Sequence, residues 1–394
     1  MKKFTKSASL IFYLLLVLLL LAGSLVSCSS DGSSDNEPTA FTAALWNVQN
    51  LFDAQDNGNE YSEFRESADW NEEKYKARLT AISQAISGIT RGEPSSNGNS
   101  SKQTFPDLIG FVEIENLGVL EDLSSGGLSK QGYNWAAFAN IPGSPIGLGL
   151  MSRYPITDIR AHSITIENDT APRPVLEIRI EPKGEPLIFL LCHWKSKVGG
   201  DEATTAMRRA SARVIQWRIQ EIWETEPDTP IIVMGDLNEN HDEYYRRLAF
   251  SALLTDDPDA AALTTSASSA PANQRFDASS AIPDYLVLSQ DMPPRSRYFP
   301  DGIPAFYSPW FDDTSETGTY YFRDNWETID HFLLSESLFT DSGWNYSGFK
   351  VVSQAPFTTS AGIPNRYNPQ SGRGLSDHLP LLLFLELKIF SKNP

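Results

Sequence analysis

The chain has 394 residues, enough to bury a sizeable hydrophobic core, and carries a formal net charge of −18. An acidic chain repels polyanions at long range, which argues against tight, sequence-specific DNA binding. Its two cysteines, Cys28 and Cys192, do not supply a disulfide framework, so stability must come from packing.

The sequence of the first 28 residues predicts export from the cytoplasm. Three lysines precede an apolar run over residues 10–22, which is too short for a comfortable membrane span and is typical of a secretory signal. Residues 25–28 (LVSC) resemble the lipobox of bacterial lipoproteins, which implies cleavage before Cys28 and lipidation of that residue. A plain secretory signal is the alternative. We expect a signal peptide over residues 1–27, a flexible tether over 28–40 and a mature net charge of −21, because the leader removes three lysines and no acidic residue.

Apolar runs and helical spacing predict the elements that follow. Strands are predicted over residues 41–48, 106–113, 135–140, 147–152, 164–166, 175–180, 187–192, 230–238, 327–334 and 379–389. Helices are predicted over residues 71–87 and 203–224. On the second helix, one apolar face is predicted from Ala206, Ala210, Val214, Trp217 and Ile222.

The remaining segments are predicted to be connections. Residues 49–53 and 91–104 are predicted to be loops, and residues 248–324 form a long, less regular region. Because the sequence shows no internal repeat and no second domain boundary, residues 41–390 are predicted to form one domain. Strands and helices alternate only in part and several strands come in hairpin-like pairs. This pattern predicts an α/β (α+β) fold with a mixed sheet, or two packed sheets, and helices outside.

Eight polar residues stand at the ends of, or within, the predicted buried strands. They are Asn47, Glu113, His193, Asp236, Asn238, Asp330, Asp377 and His378. Each alone has a plain structural explanation, as a turn residue or a hydrogen-bonded histidine, but eight in series predict one polar pocket. Carboxylates with carboxamides suit a hard divalent ion. The histidines add proton transfer near neutral pH, where an imidazole with an ordinary pKa of about 6 to 7 titrates.

Other kinds of functional site are less compatible with the sequence. There are too few soft ligands for structural zinc, no glycine-rich phosphate cradle before a helix and no serine nucleophile elbow. Asp377 and His378 stand side by side before the last strand, so they project to opposite sides and would serve a metal and a water molecule.

Six short motifs occur in a fixed order along the chain. They are WNV (46–48), FVEIEN (111–116), HWKSK (193–197), GDLN (235–238), IDH (329–331) and SDHLP (376–380). This ordered set resembles the endonuclease/exonuclease/phosphatase superfamily, over about residues 41–388. The resemblance implies a four-layer α/β sandwich, with two mixed β-sheets face to face, helices outside and the active site at one edge.

The resemblance also implies roles for the metal ligands and the base. Glu113 would be the principal metal ligand, with Asn47 and Asp377 close to the ion. His378 would be the general base that activates water, held by Asp330.

The other three polar residues would act on the substrate. By the same resemblance, Asp236 and Asn238 would position the nucleophile and the phosphate, and His193 would donate to a phosphate oxygen or assist the leaving group. An in-line attack on phosphorus requires a Lewis acid, a base and a carboxylate that fixes the imidazole tautomer, which is consistent with this set.

The motifs depart from the family pattern in three places. Gln49 stands where some relatives have a second acid, which weakens a two-metal interpretation. Cys192 precedes His193 where many relatives have asparagine, and the motif around Asp330 lacks the Cys-Asp-Arg pattern of inositol 5-phosphatases.

Three functions therefore stay open. The first is an Mg²⁺- or Mn²⁺-dependent phosphodiesterase, with Ca²⁺ as an additional ion, acting as an extracytoplasmic nuclease. The second is a phosphomonoesterase or lipid phosphodiesterase of the same superfamily, and the third is a surface binding protein on a weakened enzyme scaffold. Partners would be nucleic acid or another phosphodiester, and a membrane through lipidated Cys28. We expect a monomer anchored in the cell envelope, at the outer membrane, on its periplasmic face or at the cell surface.

Basic and aromatic residues add candidate substrate contacts. The candidate phosphate contacts are Lys195, Lys197, Arg208, Arg209 and Arg373, with a solvated helix face as the alternative. Aromatic residues within 307–311 and 320–322 would stack bases, with a satellite core under a loop as the alternative.

Overall fold

The computed structural model describes residues 40–90, 105–166, 169–170, 173–267, 282–300, 302–315 and 317–388. The predicted signal peptide, nearly all of the tether including Cys28, and the connection over 91–104 lie outside these residues and stay predictions. No helix in the described part of the chain is both long and apolar enough to cross a membrane.

Strands dominate the described residues. In chain order they are β1 (Ala40–Leu51), β2 (Leu108–Ile114), β3 (Trp135–Ala139), β4 (Gly147–Ser152), β5 (Ile156–His162), β6 (Thr165–Ile166), β7 (Asp169–Thr170), β8 (Val175–Ile180), β9 (Leu187–His193), β10 (Ile231–Asp236), β11 (Leu253–Thr255), β12 (Leu286–Ser289), β13 (Ala305–Tyr307), β14 (Tyr320–Phe322), β15 (Asn325–Glu327), β16 (Asp330–Leu334), β17 (Gly343–Val351) and β18 (Leu381–Lys388).

The helices flank these strands. They are α1 (Glu72–Ile86), α2 (Leu117–Ser125), α3 (Asp201–Thr225), α4 (Glu243–Arg247) and α5 (Pro258–Ala267). The first two begin at asparagine caps, because Asn71 accepts the backbone N–H groups of Glu73 and Lys74, and Asn116 accepts that of Val119.

Two large sheets carry the fold, and both mix parallel and antiparallel pairs. One has the order β17-β18-β1-β2-β4-β3 and the other β11-β12-β13-β16-β10-β9-β8-β5. In the first, β1 runs parallel to β2 and antiparallel to β18; in the second, β10 runs parallel to β9 and antiparallel to β16. The central strands β2, β9 and β10 are apolar except for one polar residue near the end of each, as expected for strands with both faces covered.

Glycines mark where the layers approach most closely. A Cβ on Gly110 of β2 would lie 2.3 Å from Met234 Cε on the facing sheet, so the two sheets pack directly at this point. A Cβ on Gly149 of β4 would lie 3.0 Å from Leu120 of α2, on the opposite face of its sheet. Helix α3 covers the outer face of the second sheet through Ile215 and Ile219. The four-layer sandwich predicted from the sequence is confirmed.

The predicted apolar face of α3 is wrong in part: Ile222 is buried as predicted, and Ala210 and Val214 pack against the core from partly buried positions. Ala206 and Trp217 are exposed, and the buried face instead combines apolar Ala212, Ile215 and Ile219 with charged Arg208. Arg208 is buried because its guanidinium pairs with the buried carboxylate of Glu239, and an apolar-only pattern misses such a position.

Several strands are not predicted by the sequence patterns. β5 lies at an open edge and is largely exposed, so it lacks clean alternation. β17 carries a bulge between Tyr346 and Gly348, which breaks its period. The region 248–324, predicted to be less regular, contains β11, β12 and β13, which extend the second sheet through very short strands. The predicted loop over residues 49–53 is wrong in part, since β1 continues to Leu51 around an irregular segment.

Candidate active site

The first two site residues lie where β1 and β2 become irregular. The β1–β2 register shifts between Asn47 and Leu51, and Gln49 and Asn50 there have φ of 52° and 57°. The β2–β4 register shifts between Val112 and Ile114, and Glu113 has φ of 68°. Bulges of this kind redirect side chains at the ends of sheets. Asn47 and Glu113 consequently meet, with Asn47 Nδ2 3.3 Å from Glu113 Oε1.

A buried arginine supports this irregular segment. Arg78 of α1 donates to the carbonyls of Val48 and Gln49, and its guanidinium lies 3.4 Å from the centroid of the Tyr367 ring. The Gln49 side chain in turn exchanges two hydrogen bonds with the backbone of Tyr367. Sequence reasoning missed Arg78, yet a signal exists, because a charged residue stands between Tyr75 and Ile82 on the buried stripe of α1.

Asn47 joins the two halves of the site. Its Nδ2 donates to Glu113 and, over 3.1 Å, to Asp236 Oδ2 on the facing sheet. Its Oδ1 accepts the backbone N–H of Gln49, which fixes the orientation of the amide. A second backbone N–H, that of Asn50, donates to Glu113 Oε2 over 2.9 Å. Asn47 therefore holds two carboxylates in place, and its predicted contact with a metal stays a prediction.

The second sheet brings Asp236, Asn238 and His193 to the same edge. A Cβ on Gly235 would lie 2.0 Å from the carbonyl oxygen of Cys192, so only glycine allows this approach of β10 to β9. Asn238, with φ of 53°, turns back so that its N–H donates to Asp236 Oδ1 and its Nδ2 to the carbonyl of Trp194.

His378 and Asp330 form the most direct contact in the site. His378 Nδ1 lies 2.7 Å from Asp330 Oδ2, and both side chains are buried. The opposite nitrogen, Nε2, lies 3.9 Å from Asp236 Oδ2. The ring of Tyr320 covers His378, with 4.7 Å between ring centroids.

His193 approaches the same carboxylates from the other side. Its Nε2 lies 3.9 Å from Glu113 Oε1 and 3.8 Å from Asp236 Oδ2. These distances, like that from His378 to Asp236, are too long for direct hydrogen bonds. His193 Nδ1 has no hydrogen-bond partner among the described residues.

Burial and crowding of like charges shift the pKa values of these groups. Burial, followed by the neighbouring Asp377 carboxylate, raises the pKa of Glu113. Burial and the Asp330 carboxylate raise the pKa of Asp236 to about 7. Burial lowers the pKa of His193 well below its usual range, so this imidazole is neutral.

His378 differs from the ordinary imidazole expected from the sequence. Burial alone lowers its pKa, but the carboxylates of Asp330, Asp236 and Asp377 outweigh burial and raise it to about 10. Without a bound cation, His378 is therefore an imidazolium at neutral pH. A divalent cation bound among these carboxylates would offset their charge and lower the pKa of His378, which would leave the ring neutral and able to accept a proton.

These groups line a cavity of about 570 Å³ at the edge of the two sheets. Six of the eight predicted residues line it: Glu113, His193, Asp236, Asn238, Asp377 and His378. The other two, Asn47 and Asp330, are hydrogen-bonded to Glu113 and His378 and hold them in position.

The donor atoms fit a hard divalent ion. Asp236, Asp330 and His378 each present one donor atom within 4.8 Å of the others, a group able to hold a metal ion. Glu113 and Asp377 form a second carboxylate pair nearby, and Asp377 raises the pKa of Glu113 as uncompensated negative charge does. Since Asp330 Oδ2 is already engaged by His378, the Glu113–Asp377 side is the more accessible position for an ion.

The basic residues suggested by the sequence have mixed surroundings. Arg208 is fully buried in ion pairs and does not line the cavity, whereas Lys197 lines it while its Nζ pairs with Glu243. Arg209 pairs with Asp284. Sequence reasoning missed Arg366, which lines the cavity 3.7 Å from Asp377.

The two aromatic stretches separate. Tyr307 and Trp310 are buried in the main core, so they serve as core residues and do not offer a surface for base stacking. Tyr320 and Phe322, in contrast, line the cavity, and Phe322 is 48% exposed.

Two mixed sheets carry a carboxylate–histidine cluster at one edge, which is a candidate site for a divalent ion. The model of the endonuclease/exonuclease/phosphatase family matches residues 42–263, which is more than half of the chain. The chain belongs to this family, whose members are metal-dependent phosphoesterases. The resemblance inferred from the six motifs is thereby confirmed.

Solved structures with a related architecture show low sequence identity. Truncated TDP2 from Caenorhabditis elegans is 13% identical, with a TM-score of 0.49 over 89% of this chain and 100% of that chain. Humanized TDP2 from D. rerio is 13% identical, with a TM-score of 0.48 over 88% and 99%. A family protein from Bacteroides thetaiotaomicron is 15% identical, with a TM-score of 0.47 over 90% and 100%. No curated protein matches it by sequence.

Proposed function

We propose that this protein is an Mg²⁺- or Mn²⁺-dependent phosphodiesterase that acts as a nuclease outside the cytoplasm. One observation carries the proposal: His378 Nδ1 lies 2.7 Å from Asp330 Oδ2, and Nε2 lies at the cavity side beside Asp236. A histidine oriented by a buried carboxylate, with its other nitrogen free for a water molecule, is the arrangement that general-base catalysis requires.

The tautomer of His378 follows from its partner. Asp330 accepts the Nδ1–H, so Nε2 is the nitrogen that takes the proton from an attacking water molecule. The 3.9 Å between Nε2 and Asp236 leaves room for an oxygen atom that contacts both groups. Asp236 is itself fixed by Asn47 and by the backbone N–H of Asn238.

His193 faces the same space as a neutral imidazole. Because burial lowers its pKa, it acts as a hydrogen-bond donor to a phosphoryl oxygen or to the leaving group rather than as a fixed cation. A divalent ion at Glu113 and Asp377 would polarise a phosphoryl oxygen and offset the negative charge of the substrate. Asn47 and the Asn50 N–H hold Glu113 in one orientation for this task.

The proposed location rests on the sequence. The apolar leader and the box that ends at Cys28 support export and lipid anchoring in the cell envelope, since two or more acyl chains hold a protein stably at a bilayer. We propose that a monomer acts there on environmental nucleic acid.

A substrate panel tests this function. The protein, with Mg²⁺, Mn²⁺ or excess chelator, is incubated with single-stranded DNA, plasmid, RNA, bis(4-nitrophenyl) phosphate, 4-nitrophenyl phosphate, sphingomyelin and inositol phosphates. We expect metal-dependent cleavage of nucleic acid and of the chromogenic diester. Equal hydrolysis in excess chelator, or exclusive hydrolysis of monoesters, contradicts the proposal.

A further inference from the structure

We propose that the β14–β15 hairpin is the substrate-selecting wall of the cavity and that it favours single-stranded nucleic acid, whose unpaired bases stack on Tyr320 and Phe322. This inference rests on the proposed phosphodiesterase function and adds the substrate class to it.

The hairpin is fixed to the catalytic segment by its backbone. Leu379 N–H donates to the carbonyl of Thr319 over 2.8 Å, and Thr319 N–H donates to that of Glu327 over 2.9 Å. A Cβ on Gly318 would lie 2.3 Å from the Glu327 carbonyl oxygen, so the two arms of the hairpin meet closely at its base. The hairpin is therefore held in a fixed position beside His378, which is the residue before Leu379 in the chain.

Two aromatic rings on one face of β14 form the wall. Tyr320 and Phe322 are two residues apart and point to the same side, with ring planes 18° apart and centroids separated by 6.2 Å. Tyr321, between them, points to the other side and packs against Trp326. Phe322 is 48% exposed, so a large apolar ring is open to the cavity. Stacking of a base on such a ring contributes about 1–3 kcal/mol.

The turn of the hairpin adds a cation beside this wall. Arg323 and Asp324 connect the strands with φ of 48° and 63°, a two-residue turn in which glycine or asparagine is favoured. Arg323 occupies the first position despite the backbone strain, and its guanidinium lies 5.1 Å from the centroid of the Phe322 ring. A strained residue at a cavity is a reason to test it for function.

A second cation completes the surface. The Arg366 side chain is 70% exposed and lines the same cavity. Arg323 and Arg366 supply positive charge for phosphates that flank the reacting one, although the whole chain is acidic. Alternating phosphate and aromatic contacts match a strand with free base faces. In a duplex, the neighbouring base pairs already cover those faces, and lipid or sugar phosphates lack a planar group.

Binding without cleavage tests the inference. Fluorescence anisotropy is measured on the full chain in detergent with excess chelator, using labelled dT12, an abasic (tetrahydrofuran) strand of equal length and a duplex. We expect the wild type to bind dT12 most tightly. Phe322→Leu should weaken dT12 binding by about 5- to 150-fold, which is the stacking energy expressed as a ratio, and should leave the abasic strand unchanged. Tyr321→Leu is the matched control, because the Tyr321 side chain points away from the wall and packs against Trp326.

Three outcomes overturn the inference. They are equal affinity of the wild type for dT12 and the abasic strand, equal losses on both strands in Phe322→Leu, and tighter binding of the duplex. Hydrolysis of bis(4-nitrophenyl) phosphate with Mg²⁺ is measured on the same preparations. A wild type that hydrolyses this diester but shows no dependence on bases refutes the inference alone, whereas a wild type that hydrolyses no diester refutes the proposed function as well.

Discussion

Removal of the His378 imidazole should lower turnover with little change in KM. A positioned general base contributes about 10²- to 10⁴-fold to rate, which is about 3–5 kcal/mol of transition-state stabilisation. The carboxylates that raise the pKa of the metal-free His378 ring to about 10 stabilise its protonated form, so the ring acts as a base once a bound cation offsets their charge.

Asp330→Asn should lose nearly as much, because the isosteric amide removes the charge that stabilises the imidazolium. It should also lower the pKa of His378, which NMR titration of the ring measures. The double variant should be scarcely worse than either single one, since the two residues act as a unit. The values of kcat and KM are measured with Mg²⁺ on bis(4-nitrophenyl) phosphate, and thermal melting is measured on the same preparations.

A matched control is present in the chain. His162 Nε2 also lies 2.7 Å from a carboxylate, that of Glu177, but this pair lies outside the cavity. His162→Ala should leave kcat unchanged. A His378→Ala protein that melts early and turns over normally would refute the mechanism, as would a double variant that loses the product of the two single losses.

Glu113→Gln should abolish activity at low Mg²⁺ and keep the fold, because the carboxylate offsets the charge of the ion; circular dichroism and a Mg²⁺ titration of the rate check this. Burial opposes ionisation of Glu177, but its hydrogen bonds to His162 and Arg218 hold its pKa at about 2. The free energy of unfolding of the wild type should therefore fall by about 3 kcal/mol as the pH drops from about 4.5 to 2. Denaturant titrations of Glu177→Gln should show a shallower dependence on pH. Cys28→Ala should release the protein from membranes, and fractionation that finds it still bound would exclude the lipid anchor.

Most of the fold was accessible from the sequence because its central strands are apolar on both faces. Residues 147–152 and 175–180 were predicted with the bounds that the structure has, and α1 within one residue at each end. Edge and bulged strands such as β5 and β17 were not, since partial exposure and an extra residue remove the period on which prediction depends.

The candidate site was accessible as a set of residues but not as an arrangement. Polar residues at the ends of apolar strands indicated Glu113 and Asp236, whereas the amide of Asn47 that joins them depends on a register shift that no local pattern encodes. Arg366 lies in a long connection, and only its tertiary position brings it to Asp377.

The left-handed backbone around the cavity has a consequence for how this protein evolves. Among the described residues, nine non-glycine positions have positive φ, and five of them line the cavity: Gln49, Asn50, Glu113, Asn238 and Arg323. Each costs about 1 kcal/mol or more, so together they approach the net stability of an ordinary domain, about 5–15 kcal/mol. Glycine at these five positions would relieve the strain and remove the side chains that the cavity uses. Selection for thermal stability alone should therefore favour a more stable but inactive protein. The persistence of these residues would indicate continued selection for activity.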